Sequence, residues 1–374
     1  MKEIRAIIDA YYKIDFTKNK AALATVVRVE GSSYRRSGAR MLVLDSGEWI
    51  GGISGGCLEG DALKKAKFAI AQNKSSLITY DTTDDDPFQI GVGLGCNGII
   101  DVLLTPIDPQ DSDNQILNLE KCVDSREPTM IVTVLNLNEN NIYINDGQSF
   151  LVDFNDDFLK LFLKQNFNSA LYKDLQNCRN TKQSIIKKYQ TESSEVELFL
   201  EVIIPATHLI IYGGNYDIYS MVKLAKEIGW KVSVVCNPLK VLKSLFEMAD
   251  NVIEKERADE LEIDDFTVAV LMAHDYETDF QNMCKLLKTN ILFIGMLGPK
   301  KRTDKMFLQL LEVGNPISEE DLLRIASPVG LDIGATTPEE IAISVIAEVK
   351  TFFSGRDGMR LKFRKNGIYD ETTE

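Results

Sequence analysis

Four short apolar runs, "HLIIYGG", "KVSVVCN", "FTVAVLMAHD" and "NILFIGML", recur along the second half of the chain, and most of the stretches between them carry helical spacing. Runs of this length bounded by glycine or polar residues suit buried strands, and an intervening helix returns each strand parallel to the last. Beyond Pro205 the spacing therefore predicts an α/β fold, a Rossmann-like doubly wound parallel sheet with helices on both faces. The residues before Pro205 have a different texture. "AALATVVRVEG", "MLVLD", "EWIGGI", "SSLITYD", "GIIDVLLTPI", "TMIVTVLNL" and "EVELFLEVII" read as strands. Helices are expected over the amphipathic N-terminus, from Leu58 to about Gln72, and from Asn114 to Ser125. This is a mixed α+β domain, so the expected organisation is one domain over 1–204 and a second over 205–374, ending in a polar tail after Phe353. "NIYIN" is expected to form a hairpin with "TMIVTVLNL", turning at "NENN", whereas 150–192 is rich in Asn, Lys and Gln and carries the weakest signal.

At 374 residues the chain is long enough for two cores. It contains no apolar run of the roughly 18 residues that a membrane span needs. The N-terminus lacks the apolar core and cleavage site of a signal peptide, so a cytoplasmic protein is expected. A net charge of −14 weighs against nucleic acid or an anionic membrane as partner. It leaves room for a small anionic ligand, which local arginines and backbone amides can hold. The six cysteines are scattered with no C-x-x-C pair, and there are two histidines, which argues against a zinc site or a disulfide framework.

Two of those cysteines lie among glycines. In "GGISGGCLEGDAL", Ser54, Gly55 and Gly56 directly precede a helix, where backbone N–H groups and the helix dipole favour an anion. Cys57 falls at the cap or first turn, a setting that stabilises a thiolate, and we read it as functional; a small buried residue at a tight junction is the alternative. In "GVGLGCNG", Gly95 and Cys96 belong to a loop able to lay its backbone against a ligand, or one needed only to enter the next strand. Arg35, Arg36 and Arg40 in "YRRSGAR" are counter-ions suited to phosphate or carboxylate. In the second domain "IIYGGNYDI" places Gly213, Gly214 and Asn215 where a dinucleotide turn would lie. The G-x-G-x-x-G pattern has lost its second glycine to Asn215, and Cys236 and Asn237 stand where a ribose-binding carboxylate is expected. We read a structural relic there in preference to a working NAD(P) site. His274, Gly298 and Asp332 are expected at strand ends or adjoining loops, the edge at which such sheets bind ligands; a structural role for His274 is equally open.

Together these stretches resemble the XdhC/CoxI family of maturation factors for molybdenum hydroxylases such as xanthine dehydrogenase and CO dehydrogenase. The matching strings are "GSSYRRSGARMLV", "GGISGGCLEGDAL", "GLGCNGIIDVLL", "LIIYGGNYDI", "GMLGPKKRTDKM" and "SPVGLDIGATTPEEIAISVIAEV". The resemblance implies a chaperone that binds molybdenum cofactor (molybdopterin), supports its sulfuration, and inserts it into a xanthine dehydrogenase-like hydroxylase. It further implies a cysteine desulfurase as sulfur source, a homodimer, and an accessory role in preference to a turnover enzyme. Cys57 and Cys96 would be the soft groups facing molybdenum or sulfur, and the arginines and the Ser54 turn would hold anionic groups. An NAD(P)-dependent oxidoreductase and a ligand-free scaffold of the same fold are the rival readings. Where relatives carry G-x-G and then His, this chain has Gly213-Gly214-Asn215 and Tyr216.

Overall fold

The structure is a computed structural model and describes residues 1–82, 98–137, 145–152, 168–190, 195–365 and 367–368. Its chain divides into two compact units, Met1–Pro205 and Ala206–Glu374.

The first unit holds two antiparallel sheets. Strands β1 (Ala21–Gly31), β2 (Arg40–Leu44), β3 (Trp49–Gly51), β4 (Ser76–Asp81) and β5 (Gly98–Pro106) lie in the order β3-β2-β1-β5-β4. Helix α1 (Lys2–Tyr11) and helix α3 (Gln115–Val123) cover one face, where Ile7, Tyr11, Ile116 and Leu119 pack with Leu23 and Leu42. Helix α2 (Glu59–Gln72) covers the other, setting Ala62, Ala66 and Ala69 against Ala22, Ala24, Met41, Val43 and Leu104. Burial on both faces explains why β1 and β2 read as continuous apolar runs instead of alternating. Four strands make the second sheet: β6 (Thr129–Leu137), β7 (Ser149–Leu151), β8 (Ile185–Gln190) and β9 (Glu195–Ile203), in the order β7-β6-β9-β8. Helix α4 (Asn168–Thr181) buries Leu171, Leu175 and Cys178 against it. Val27, Leu103, Leu135 and Phe199 form a small cluster with residues from both sheets.

Residues 141–144 of "NIYIN" lie outside the described residues; among the described residues β6 pairs with β9 and with β7, where Ile131 meets Leu151. The weakly patterned 150–192 contains α4 and β8; the strand was concealed because Lys187 and Lys188, on opposite faces, are both exposed and break any alternation.

The second unit is a six-stranded parallel sheet built from β10 (His208–Tyr212), β11 (Lys231–Val235), β12 (Asn251–Ile253), β13 (Thr267–Leu271), β14 (Ile294–Met296) and β15 (Ile325–Ala326). Their order, β12-β11-β10-β13-β14-β15, is 3-2-1-4-5-6 when counted within the unit, the arrangement of dinucleotide-binding sheets. Helices α5 (Ile218–Glu227), α6 (Lys243–Met248) and α10 (Pro338–Ser354) contribute to a core with Leu209, Ile211, Val234 and Val270. On the opposite face α7 (Tyr276–Leu286) and α8 (Lys300–Glu312) pack Met283, Leu286, Met306 and Leu310 against Ile210, Ala269 and Leu271. A short helix, α9 (Glu319–Arg324), leads into β15. No helix among the described residues is long and apolar enough to cross a membrane.

Candidate functional site

Helix α2 begins at Glu59 with Leu58 as its cap, so Cys57 stands one residue before the cap. The turn feeding it is held by two side chains. The Ser54 hydroxyl oxygen accepts from the N–H groups of Gly56 (3.2 Å), Cys57 (3.1 Å) and Leu58 (3.1 Å). Glu59 reaches back: its Oε1 accepts from the N–H of Ile53 (3.1 Å) and Ser54 (2.7 Å), while its Oε2 accepts from the Ser54 hydroxyl (2.5 Å). Burial pushes the Glu59 carboxyl up, but the bonds from Ser54 and Ile53 outweigh this and hold it below the ordinary range. The expected anion seat is therefore altered, because Ser54 and Glu59 already occupy most of the donors of the S-G-G-C turn. What the turn does present is the thiol. Cys57 is half-buried against the apolar cluster under α2, and its Sγ lies 3.5 Å from the Ser54 hydroxyl oxygen.

Space beside the thiol is defined by missing side chains. Gly56, at φ +110°, and Gly60 have nothing within 4 Å of where a Cβ would stand, so a flat ligand can meet their backbone. Gly55 lies under Tyr34, whose Cγ would be 3.4 Å from a Cβ there and whose side chain is otherwise exposed.

The expected counter-ions are differently placed. Arg40 is buried and bound to Glu201, with a second bond to the Gly38 carbonyl (2.7 Å). Arg35 pairs with Glu3 at 2.5 Å, and Glu3 also accepts from the Arg40 backbone. Both guanidinium groups thus tie strand and loop to other parts of the unit, and of the three arginines only Arg36 is exposed. Gly95 and Cys96 lie outside the described residues. No cluster of three metal-binding side chains occurs among the described residues.

In the second unit Gly213, Gly214, Asn215 and His274 gather at the carboxyl ends of β10 and β13, where the strand order reverses. A Cβ on Gly213 would lie 2.5 Å from the Met272 carbonyl oxygen, which brings the two strand exits into close approach. Cys236 is buried behind Gly214, and burial pushes its thiol up, so it cannot replace a ribose-binding carboxylate. Asn237 turns onto its own loop, accepting from the Leu239 N–H at 3.0 Å. His274 Nε2 is 2.6 Å from Asp217 Oδ2. Deeper in, Asp279 is fully buried, accepts from the Ala273 N–H (3.1 Å) and lies 2.8 Å from Arg302. Burial pushes its carboxyl up, against the pull of the Ala273 N–H and Arg302. Arg302 also donates to the Leu297 carbonyl (3.3 Å), so the basic start of α8 includes a clamp between the β13 and β14 exits. Gly298 takes φ +122° beside that arginine, and Asp332 is exposed in its glycine turn. Sequence reasoning had missed Glu59 and Asp217; a carboxylate five residues after Ser54, in the helix's first turn, was the available signal for the former.

Comparison with known proteins settles the lineage. A family model described as "XdhC and CoxI family" matches residues 17–81, and one described as "XdhC Rossmann domain" matches 209–349. A protein of Bacillus subtilis (strain 168) named as a probable xanthine dehydrogenase subunit is 32% identical over 338 residues, covering 89% of this chain and 93% of its own. The chain belongs to the XdhC and CoxI family. Another relative, the molybdenum cofactor insertion chaperone PaoD of Escherichia coli (strain K12), is 24% identical over 331 residues, 88% of this chain and 82% of its own. A crystal structure described as a xanthine dehydrogenase from Bacillus halodurans matches with a TM-score of 0.70 and 25% identity, covering 98% of each chain. Within the XdhC and CoxI match lie the Ser54 turn, Cys57 and all three arginines; Cys96 falls outside both matched segments.

Proposed function

We propose that this protein is a maturation factor that binds molybdenum cofactor and delivers it to a xanthine dehydrogenase-type hydroxylase. Family membership and the relative named as a molybdenum cofactor insertion chaperone support the role. The observation that carries the reading to particular residues is the Cys57 turn. A half-buried thiol, presented by a self-bonded loop beside two glycines with open space, suits a soft metal or sulfur atom on a flat ligand. The fit is one-sided: Arg35 and Arg40 are engaged with carboxylates, so this loop offers a pterin phosphate less than its three arginines imply. When bound, the cofactor would supply molybdenum and dithiolene sulfur; the chain's part is to hold it, orient it by Cys57, and shield one face against the turn. Cys96 is a second candidate thiol on sequence grounds. Sulfuration with a cysteine desulfurase as donor, a homodimer and a cytoplasmic setting complete the reading, and each rests on the family resemblance.

Co-expression with cofactor biosynthesis, followed by pterin fluorescence and metal analysis of the purified protein, tests it. Wild type is expected to retain cofactor near stoichiometrically and Cys57→Ala to retain at least about tenfold less, the loss of roughly 1.4 kcal/mol or more of binding. Equal retention by the variant, with equal activation of a partner hydroxylase, overturns the role of Cys57. Absence of cofactor from wild type overturns the reading as a whole.

A further inference from the structure

Two side-chain bonds join the loops that leave β10 and β13. Asn215 Nδ2 donates to the Ala273 carbonyl at 3.1 Å, and Asp217 Oδ2 meets His274 Nε2 at 2.6 Å. His274 holds a left-handed backbone at φ +59°, uncommon for a residue with a side chain. Asp217 directly precedes α5 with helical backbone angles, φ −69° and ψ −21°, and makes no cap bond, so its carboxylate is directed to the loop after β13. Its second oxygen, Oδ1, is buried without a hydrogen-bond partner.

The place matters as much as the bonds. An open sheet with this strand order takes its ligand in the crevice outside the carboxyl ends of the two strands flanking the reversal, here β10 and β13. The second glycine of the dinucleotide turn lets a pyrophosphate approach the backbone closely. Asn215 stands at that position and its amide spans to the opposite loop.

We propose that the Asn215–Ala273 and Asp217–His274 bonds form a strap across a crevice for pyrophosphate-bearing nucleotides, and that a ligand enters only when the strap parts. The inference is independent of the cofactor reading for the first unit. Released, the strap would free the Asp217 carboxylate, the imidazole and the Asn215 amide, while Gly213 and Gly214 keep the turn's close backbone approach.

Calorimetry on the full-length chain tests this with ADP-ribose and NAD as probes. Asn215→Gly, His274→Ala, their combination, and Asp217→Asn are compared with wild type, with circular dichroism reporting the fold. Wild type is expected to bind no more tightly than millimolar, and the combined variant at least tenfold more tightly, with the single changes between. Asp217→Asn weakens one bond while keeping the side chain's shape, and should give a gain in affinity even if the combined variant unfolds. A folded combined variant no tighter than wild type, no gain in Asp217→Asn should the combined variant unfold, or wild-type binding as tight as any variant's, overturns the strap.

Discussion

At the scale of single residues, the turn before α2 depends on Glu59 as much as on Ser54. Removing the carboxylate leaves the N–H groups of Ile53 and Ser54 without their acceptor, so Glu59→Ala should cost about 1–3 kcal/mol in urea unfolding. Glu59 ionises more readily folded than unfolded. Its stabilising effect is thus complete above the unfolded value of about pH 4.3 and lost as pH falls through the lower folded value. In Glu59→Gln that part of the acid dependence should vanish; an unchanged pH profile of unfolding would count against it. Arg40 makes a sharper case. It is buried with Glu201, so Arg40→Ala strands a buried carboxylate and should cost about 3–5 kcal/mol, whereas Arg40→Met with Glu201→Leu should recover most of the loss. The turn before α2 was legible in the sequence because S-G-G ahead of a helix is a local pattern. The engagement of Arg35 and Arg40 was not, because Glu3 and Glu201 lie far along the chain in each direction.

Elements were legible wherever one signal decided them. Helix α10 is an example: Thr337 caps it, Glu340 returns the bond to the Thr337 N–H, and Pro338 opens the first turn. Thr337→Ala should therefore cost about 1 kcal/mol of stability, measurable by thermal unfolding, because the helix carries Ala342, Val345 and Val349 into the core. The second unit's parallel strands were legible for the same reason, since burial on both faces leaves short uninterrupted apolar runs. Where an element lies half in water the signal failed. β8 carries two exposed lysines, Lys187 and Lys188, among only six residues, and α4 has few apolar positions, so composition masked both.

For the molecule as a whole, each unit has hydrophobic cores of its own among the described residues. Fragments 1–205 and 206–374 are accordingly expected to fold separately, and calorimetric unfolding of the full chain should resolve into more than one transition; failure of either fragment to give native-like circular dichroism would count against this. The edges of the sheets carry a further consequence. In the second unit the outermost strands, β12 and β15, are three and two residues long, too short to template another chain. β8 is longer but bears Lys187 and Lys188, which repel a copy of itself. β4 has neither protection among the described residues: six residues, "SLITYD", with Leu77 exposed and no lysine or proline. Concentrated or heated samples should therefore aggregate by β4 pairing edge to edge with β4, and Leu77→Lys should delay the turbidity without altering the native spectrum.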